Sequence, residues 1–238
     1  MSQTFVLVHG AWHGAWCWEA VAGILRARGH RVTTPVQIGV GERAGELRKG
    51  LTLADFIADV VGHLRAEDLS DAVLVGHSFA GSSLSGAAEA VPDRISRLIY
   101  LDALVISDGQ TPFDGLPPEV IAKRRDLAVK TSGGLSLPPP SPDKFGVMDP
   151  AQQDWLRGKL TPHPLATFES AIKLQGPPGA DLPRCYLTCT DPIYPNLVRS
   201  RERVAAWGWP MAEIRTGHDA MVSAPQALAD KLLELTSS

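Results

Sequence analysis

The stretch Ala72-Val73-Leu74-Val75-Gly76-His77-Ser78-Phe79-Ala80-Gly81 decides the fold. Apolar residues of strand character run into a Gly-x-Ser-x-Ala-Gly turn, and small residues then continue to Ala90, as a closely packed helix requires. A serine placed where a buried strand gives way to a helix has the context of a nucleophile elbow. Turning from strand to helix within one residue forces Ser78 into a strained backbone, and larger side chains two places either side would collide. The turn also lifts the hydroxyl clear of the sheet and sets it at a helix N-terminus, where N–H groups stabilise developing negative charge. Ala80 stands where the pattern has its second glycine, a mild departure because Gly81 follows.

Outward from the elbow, short apolar runs alternate with amphipathic segments of helix length, which predicts a mostly parallel sheet covered by helices on both faces. Strands are expected over residues 4–9, 31–36, 72–75 and 95–101, with helices over 16–28 and from Thr52, an N-cap residue, to Leu64. Between residues 105 and 180 the rhythm stops and prolines accumulate, including Pro117-Pro118 and Pro138-Pro139-Pro140. Prolines at that density break a sheet. Short helical patterns over 118–129 and 151–160 predict a lid inserted between two core strands. The alternation resumes with a strand over 184–189, a helix over 196–207, a strand over 212–215 and a helix over 225–235. The expectation is one compact domain, with 1–104 and 181–238 as α/β core and 105–180 as inserted helical lid.

A chain of 238 residues, 44% hydrophobic, is long enough to bury one large core. Its net charge of −3 and scattered Lys and Arg offer no row of cations for phosphates, so nucleic acid is not an expected partner. No apolar run reaches membrane-spanning length, and the N-terminus lacks a basic segment followed by a long apolar one. A soluble, cytoplasmic protein with no membrane partner is expected. Cys17, Cys185 and Cys189 are odd in number and lack the spacing of a closed metal site, so they read as reduced packing residues, with no metal and no cofactor.

An acyl-transfer site needs two N–H donors aimed at the tetrahedral oxygen. One is the residue after the nucleophile, Phe79; the other comes from the loop after an early strand, here His9-Gly10-Ala11-Trp12-His13-Gly14. Gly10 lets the backbone approach closely, so the N–H of Ala11 is the second donor expected. The base belongs on the loop between the last strand and the last helix, which selects His218 from seven histidines. His77 reads as a packing residue. Asp191, ending the strand over 184–189, is the acid expected, with Asp102, ending the strand over 95–101, as the other position open to one.

With those residues placed, the chain resembles the α/β-hydrolase branch that holds plant methyl-salicylate esterases, hydroxynitrile lyases and small bacterial carboxylesterases, including pyrethroid-hydrolysing ones. The likeness runs through residues 5–18, Gly76-His77-Ser78, Tyr100-Leu101-Asp102-Ala103 and residues 160–165. It implies a serine hydrolase acting through an acyl-enzyme on a carboxylic ester, with Ser78, Asp191 and His218 at the triad positions. The lyases of the branch carry Thr in place of Gly10 and Lys in place of Asp219, so the resemblance favours the esterases. Thioesterase, acyl-transferase and cyclase chemistry on the same triad, and a ligand-binding protein with vestigial catalysis, stay open. Gly10, Trp12, Phe113, Leu165, Phe168 and Met221 are the expected substrate-binding residues. No cationic residue is expected beside Ser78, His218 or the oxyanion loop, which predicts a neutral, largely apolar small-molecule ester. The reading also admits a homodimer.

Overall fold

A computed structural model describes residues 2–237. β1 (Thr4–Val8) leads through a 3-10 turn into α1 (Glu19–Ala27) and β2 (Arg31–Thr33), and α2 (Leu53–Ala66) then precedes β3 (Ala72–His77) and α3 (Ala80–Ala90). β4 (Ile95–Leu101) ends the first half of the core. After it come α4 (Pro118–Ser132), β5 (Ser136–Leu137), α5 (Pro150–Arg157), β6 (His163–Pro164) and α6 (Leu165–Glu169). The core resumes with β7 (Arg184–Cys189), α7 (Val198–Ala206), β8 (Met211–Ile214), α8 (Ala220–Ser223) and α9 (Pro225–Thr236).

Six strands form one sheet in the order β2-β1-β3-β4-β7-β8, and every neighbouring pair is parallel. Side chains of a strand alternate between faces, so each apolar run supplies two cores. Phe5, Leu7, Val73, Val75, Ile99 and Leu101 pack on one side with Val21 and Leu25 of α1 and Leu228 and Leu232 of α9. Val6, Val8, Leu74, Leu98 and Tyr100 pack on the other with Val60 and Leu64 of α2 and Leu84 and Ala88 of α3. Thr52 caps α2 as expected, in a reciprocal pair with Asp55, whose carboxylate accepts the Thr52 N–H at 2.8 Å. β2 stops three residues short of its expected end at Val36; Pro35 has no N–H to give a sheet.

The residues between β4 and β7 are carried by short elements, and β5 and β6 pair antiparallel. Ala128, Leu137, Leu165 and Phe168 from this segment share a buried cluster with Ala11, Phe56 and Phe79, so it packs over the carboxyl ends of the central strands. Cys17, Cys185 and Cys189 are free and buried. No helix of the described residues is long and apolar enough to cross a membrane.

Two glycines of the elbow region differ in what holds them. A Cβ on Gly76 would meet the tip of Leu84 at 2.4 Å, which a flexible side chain can yield; a Cβ on Gly81 would meet the carbonyl oxygen of Leu104 at 2.3 Å, which is backbone. Gly81, rather than the residue aligned with the second glycine of the pattern, is therefore where α3 touches the chain after β4. Gly81→Ala is expected to lower stability by about 1–3 kcal/mol through overpacking. Gly62→Ala, at an exposed α2 position with nothing within 4 Å, should instead raise it by about 0.4–1 kcal/mol. Urea unfolding midpoints at constant slope check both, and similar values for the two variants would contradict the contact at Gly81.

Candidate active site

The register sets the site. Val8 of β1 lies beside Gly76 of β3, and His77 of β3 beside Leu101 of β4, so the chain leaves three adjacent strands at one level. Residues 9–14, Ser78 and Asp102 meet there. Three of the six non-glycine residues with positive φ among the described residues sit in these turns: Trp12 at 66°, Ser78 at 54° and Asp102 at 38°. Such conformations cost about 1–3 kcal/mol each and persist where the surroundings over-determine them. The Ser78 N–H donates to the carbonyl of Leu101 at 3.1 Å, the Ser78 carbonyl accepts from Leu104 at 2.8 Å, and the Asp102 N–H donates to Leu187 at 2.7 Å. The two bonds at Ser78 thus bracket Asp102, tying the two residues to one piece of backbone.

His218, in the turn between β8 and α8, completes the chain of contacts. Its Nδ1–H donates to Asp102 Oδ2 at 2.7 Å, which leaves Nε2 to accept from the Ser78 hydroxyl at 2.9 Å. His218 and Asp102 are buried and Ser78 is half-buried. The ring of Tyr194 stacks on His218 with centroids 3.9 Å apart, and the His77 ring lies 4.5 Å away with its Nε2–H donating to the His218 carbonyl at 3.0 Å. Arg201 reaches the second oxygen of Asp102 at 3.4 Å and the Tyr194 carbonyl at 2.9 Å.

The expectation that Asp191 partners His218 is corrected here. Asp191 is exposed, 58% for its side chain, and pairs with Arg215 at 3.1 Å. Its strand, β7, lies two places from β3, whereas Asp102 leaves β4, the immediate neighbour, and is carried by the backbone that holds Ser78.

The loop after β1 is held by imidazoles. A Cβ on Gly10 would lie 2.9 Å from His77 Nδ1 and 3.0 Å from Ser78 Cβ, so only glycine lets this loop approach the serine. Among the described residues no backbone carbonyl accepts the N–H of Ala11 or of Phe79. His9 donates from Nδ1 to the Gly10 carbonyl at 2.9 Å and accepts at Nε2 from Gln37 at 3.1 Å; it is therefore neutral, and burial pulls its pKa down to about 4. His163 accepts from the Trp12 N–H at 3.3 Å and donates to Thr167 at 2.9 Å, and burial keeps it far below its usual value as well. His13 differs. Both its nitrogens face oxygen acceptors, the Ala11 carbonyl at 2.7 Å and Asp219 Oδ2 at 3.0 Å. Burial opposes its charge, but the Asp219 carboxylate outweighs burial and holds its pKa above the ordinary value. Asp219, the residue after His218, is thus turned beneath the site and lines neither cavity described next.

Two cavities open at Ser78 and His218. A small one of about 60 Å³ is lined by Ala11, Ser78, Phe79, Leu104 and Phe168 among others; a larger one of about 560 Å³ reaches His218 past Leu127, Leu137 and residues 138–140. Of the expected binding residues, Trp12 lines both and Phe168 the smaller, while Phe113 stacks behind Phe168 at 5.2 Å. Leu165, on α6, is buried in the cluster that joins the β4–β7 segment to the core, and Met221 in the core beside Cys17; neither lines these cavities. Residues not singled out from the sequence, Arg124, Tyr194 and Asn196, line both. Arg124 lines the cavity of Ser78 and that of His218, so their walls hold a cation that the expectation of a wholly neutral ester left out.

His77, His218 and Asp219 bring potential metal-ligand atoms within 4.8 Å of one another. An ion using His218 would have to displace either Ser78 or Asp102 from its ring, so the hydrogen bonds seen here and a metal exclude each other.

The chain matches the model of the alpha/beta hydrolase family over residues 5–231. It is 39% identical to a carbendazim hydrolyzing esterase of Nocardioides sp. (strain SG-4G) over 241 residues, covering 97% of this chain and 98% of that one. It is 30% identical to a pFDCC methylesterase of Arabidopsis thaliana over 98% of this chain and 94% of that one. Among solved structures, an extracellular alpha/beta-hydrolase from a Paenibacillus species superposes with a TM-score of 0.86 at 28% identity, covering 98% of each chain. With the parallel sheet, the elbow and the relatives in agreement, the chain belongs to the alpha/beta hydrolase family.

Proposed function

We propose that this protein is a serine ester hydrolase in which Ser78 is the nucleophile, His218 the general base and acid, and Asp102 the residue that orients and stabilises His218. The observation that carries the reading is the unbroken line of hydrogen bonds from Ser78 through His218 to Asp102, at 2.9 and 2.7 Å. The esterase and methylesterase names of relatives that span nearly the whole chain support it.

His218 takes the proton of Ser78 as the oxygen attacks the ester carbonyl. Negative charge grows on the carbonyl oxygen, where the N–H groups of Ala11 and Phe79 are the donors of the oxyanion hole. Collapse of the tetrahedral species breaks the bond to the alcohol, which leaves with the proton from His218. Water, deprotonated by His218, then cleaves the acyl-enzyme and frees the serine. Because His218 protonates the leaving alcohol, the alcohol belongs on its side, in the larger cavity, while the acyl group stays with Ser78 against Phe79, Leu104 and Phe168. An ester with a compact acyl group and a larger alcohol fits that division. The segment between β4 and β7 serves as the lid over both cavities.

Ser78→Ala and His218→Ala are each expected to remove at least about 10³-fold of the turnover of 4-nitrophenyl acetate, without loss of folded structure by circular dichroism. Turnover above a few per cent of wild type in the serine variant would refute the assignment. Asp102→Asn should lower kcat by roughly 10²–10⁴-fold by presenting the wrong tautomer of His218. Asp191→Asn should stay within about twofold of wild type, since its ion pair with Arg215 is exposed; the reverse ranking of the two variants would return the acid to Asp191.

A further inference from the structure

Arg124, on α4, is one of four residues shared by the walls of both cavities, with Trp12, Tyr194 and Asn196. It therefore belongs to a wall common to the cavity that holds Ser78 and the cavity that reaches His218. Its guanidinium lies 5.7 Å from the centroid of the Phe113 ring, and no protein oxygen among the described residues accepts a hydrogen bond from it. Other half-buried arginines behave differently: Arg43, Arg94, Arg184, Arg201 and Arg203 all donate to carbonyls or carboxylates. A ring face accepts no strong hydrogen bond, and a partly desolvated guanidinium without acceptors is costly unless something else supplies them.

A second donor lines the same two cavities. The Tyr194 oxygen accepts from Asn196 Nδ2 at 3.0 Å, which leaves the phenolic hydrogen unused. Burial raises the Tyr194 pKa, so that hydrogen stays in place at neutral pH. Acid side chains do not compete for the arginine: Asp143, in the wall of the larger cavity, is engaged by Lys144 at 3.2 Å.

We propose that Arg124, assisted by Tyr194, binds a carboxylate carried by the ester substrate close to its scissile bond, so that the preferred substrates are anionic esters with an apolar body. The planar fork of a guanidinium fits a carboxylate with two parallel hydrogen bonds, whereas an ammonium offers a point charge. This inference rests on the ester-hydrolase reading for its catalytic consequence but not for the binding itself.

The two are separated with 3-acetoxybenzoate and its neutral amide, 3-acetoxybenzamide, whose acetyl group suits the small cavity. Wild type should favour the carboxylate, and Arg124→Met should lower the ratio of kcat/KM for benzoate over benzamide by at least about tenfold, the size of one charged hydrogen bond, mainly through KM. Arg124→Lys should restore part of the ratio. Calorimetric binding of 3-acetoxybenzoate to Ser78→Ala protein reads the site without chemistry, and adding Arg124→Met should weaken it at least tenfold. An unchanged ratio, or binding to the serine variant that is absent or insensitive to Arg124, overturns the carboxylate site. Binding that depends on Arg124 in a protein that hydrolyses neither compound would support the site and overturn the ester-hydrolase reading instead.

Discussion

The backbone of Ser78, held at a φ of 54°, is the constraint on which the site depends. A residue in that conformation tends to relax, and here it is clamped from both sides by the chain that leaves β4. The clamp explains the glycines around it. Gly10 lets the neighbouring loop lie against the side chains of His77 and Ser78, and Gly81 lets α3 lie against the carbonyl of Leu104, so the space of each missing side chain is already filled. Larger residues at either place would push the clamp open before they disturbed the core. The same clamp carries Asp102, which is why the acid facing His218 comes from the strand next to the elbow.

Around this strained centre lies a set of buried imidazoles whose protonation the hydrogen bonds dictate. His9, His77 and His163 are each kept neutral by burial, His9 and His163 with one nitrogen donating and the other accepting. His13 alone has two acceptors, and its partner Asp219 follows His218 directly in the chain. The pair therefore links the loop that carries the Ala11 N–H to the turn that carries His218. A buried ion pair of this kind is poor evidence for stability, since desolvation offsets most of the attraction, but it fixes a relative position. Asp219 accordingly acts on the site from beneath, through His13, rather than in the cavities.

The fold was legible because its signals are local. Alternating faces of apolar strands, the Gly76 to Gly81 turn, the glycine loop after β1 and a histidine before the last helix can each be read within a dozen residues, and each appears where expected. At that range Asp191 is preferred to Asp102, although both stand just past a buried strand; what separates them in the other direction is strand order and the direction of a side chain, which no short window contains. The cavity walls were harder still. Met221 has the composition of a lining residue but faces the core beside Cys17, and Tyr194 lies in a proline-flanked connection with no periodicity to mark it.

Arg124 shows why a charge count along the chain misjudges a site. It belongs to a helix, Pro118–Ser132, with cations at Lys123, Arg124, Arg125 and Lys130, and such a helix reads as a solvated face. Its neighbour Arg125 does what that reading expects, pairing at the surface with Glu169. One residue along an α-helix is a turn of about 100°, enough to swing Arg124 from that surface to the wall shared with Tyr194. The segment between β4 and β7 thus contributes more than apolar surface: it sets a cation in the wall of the cavity that holds Ser78.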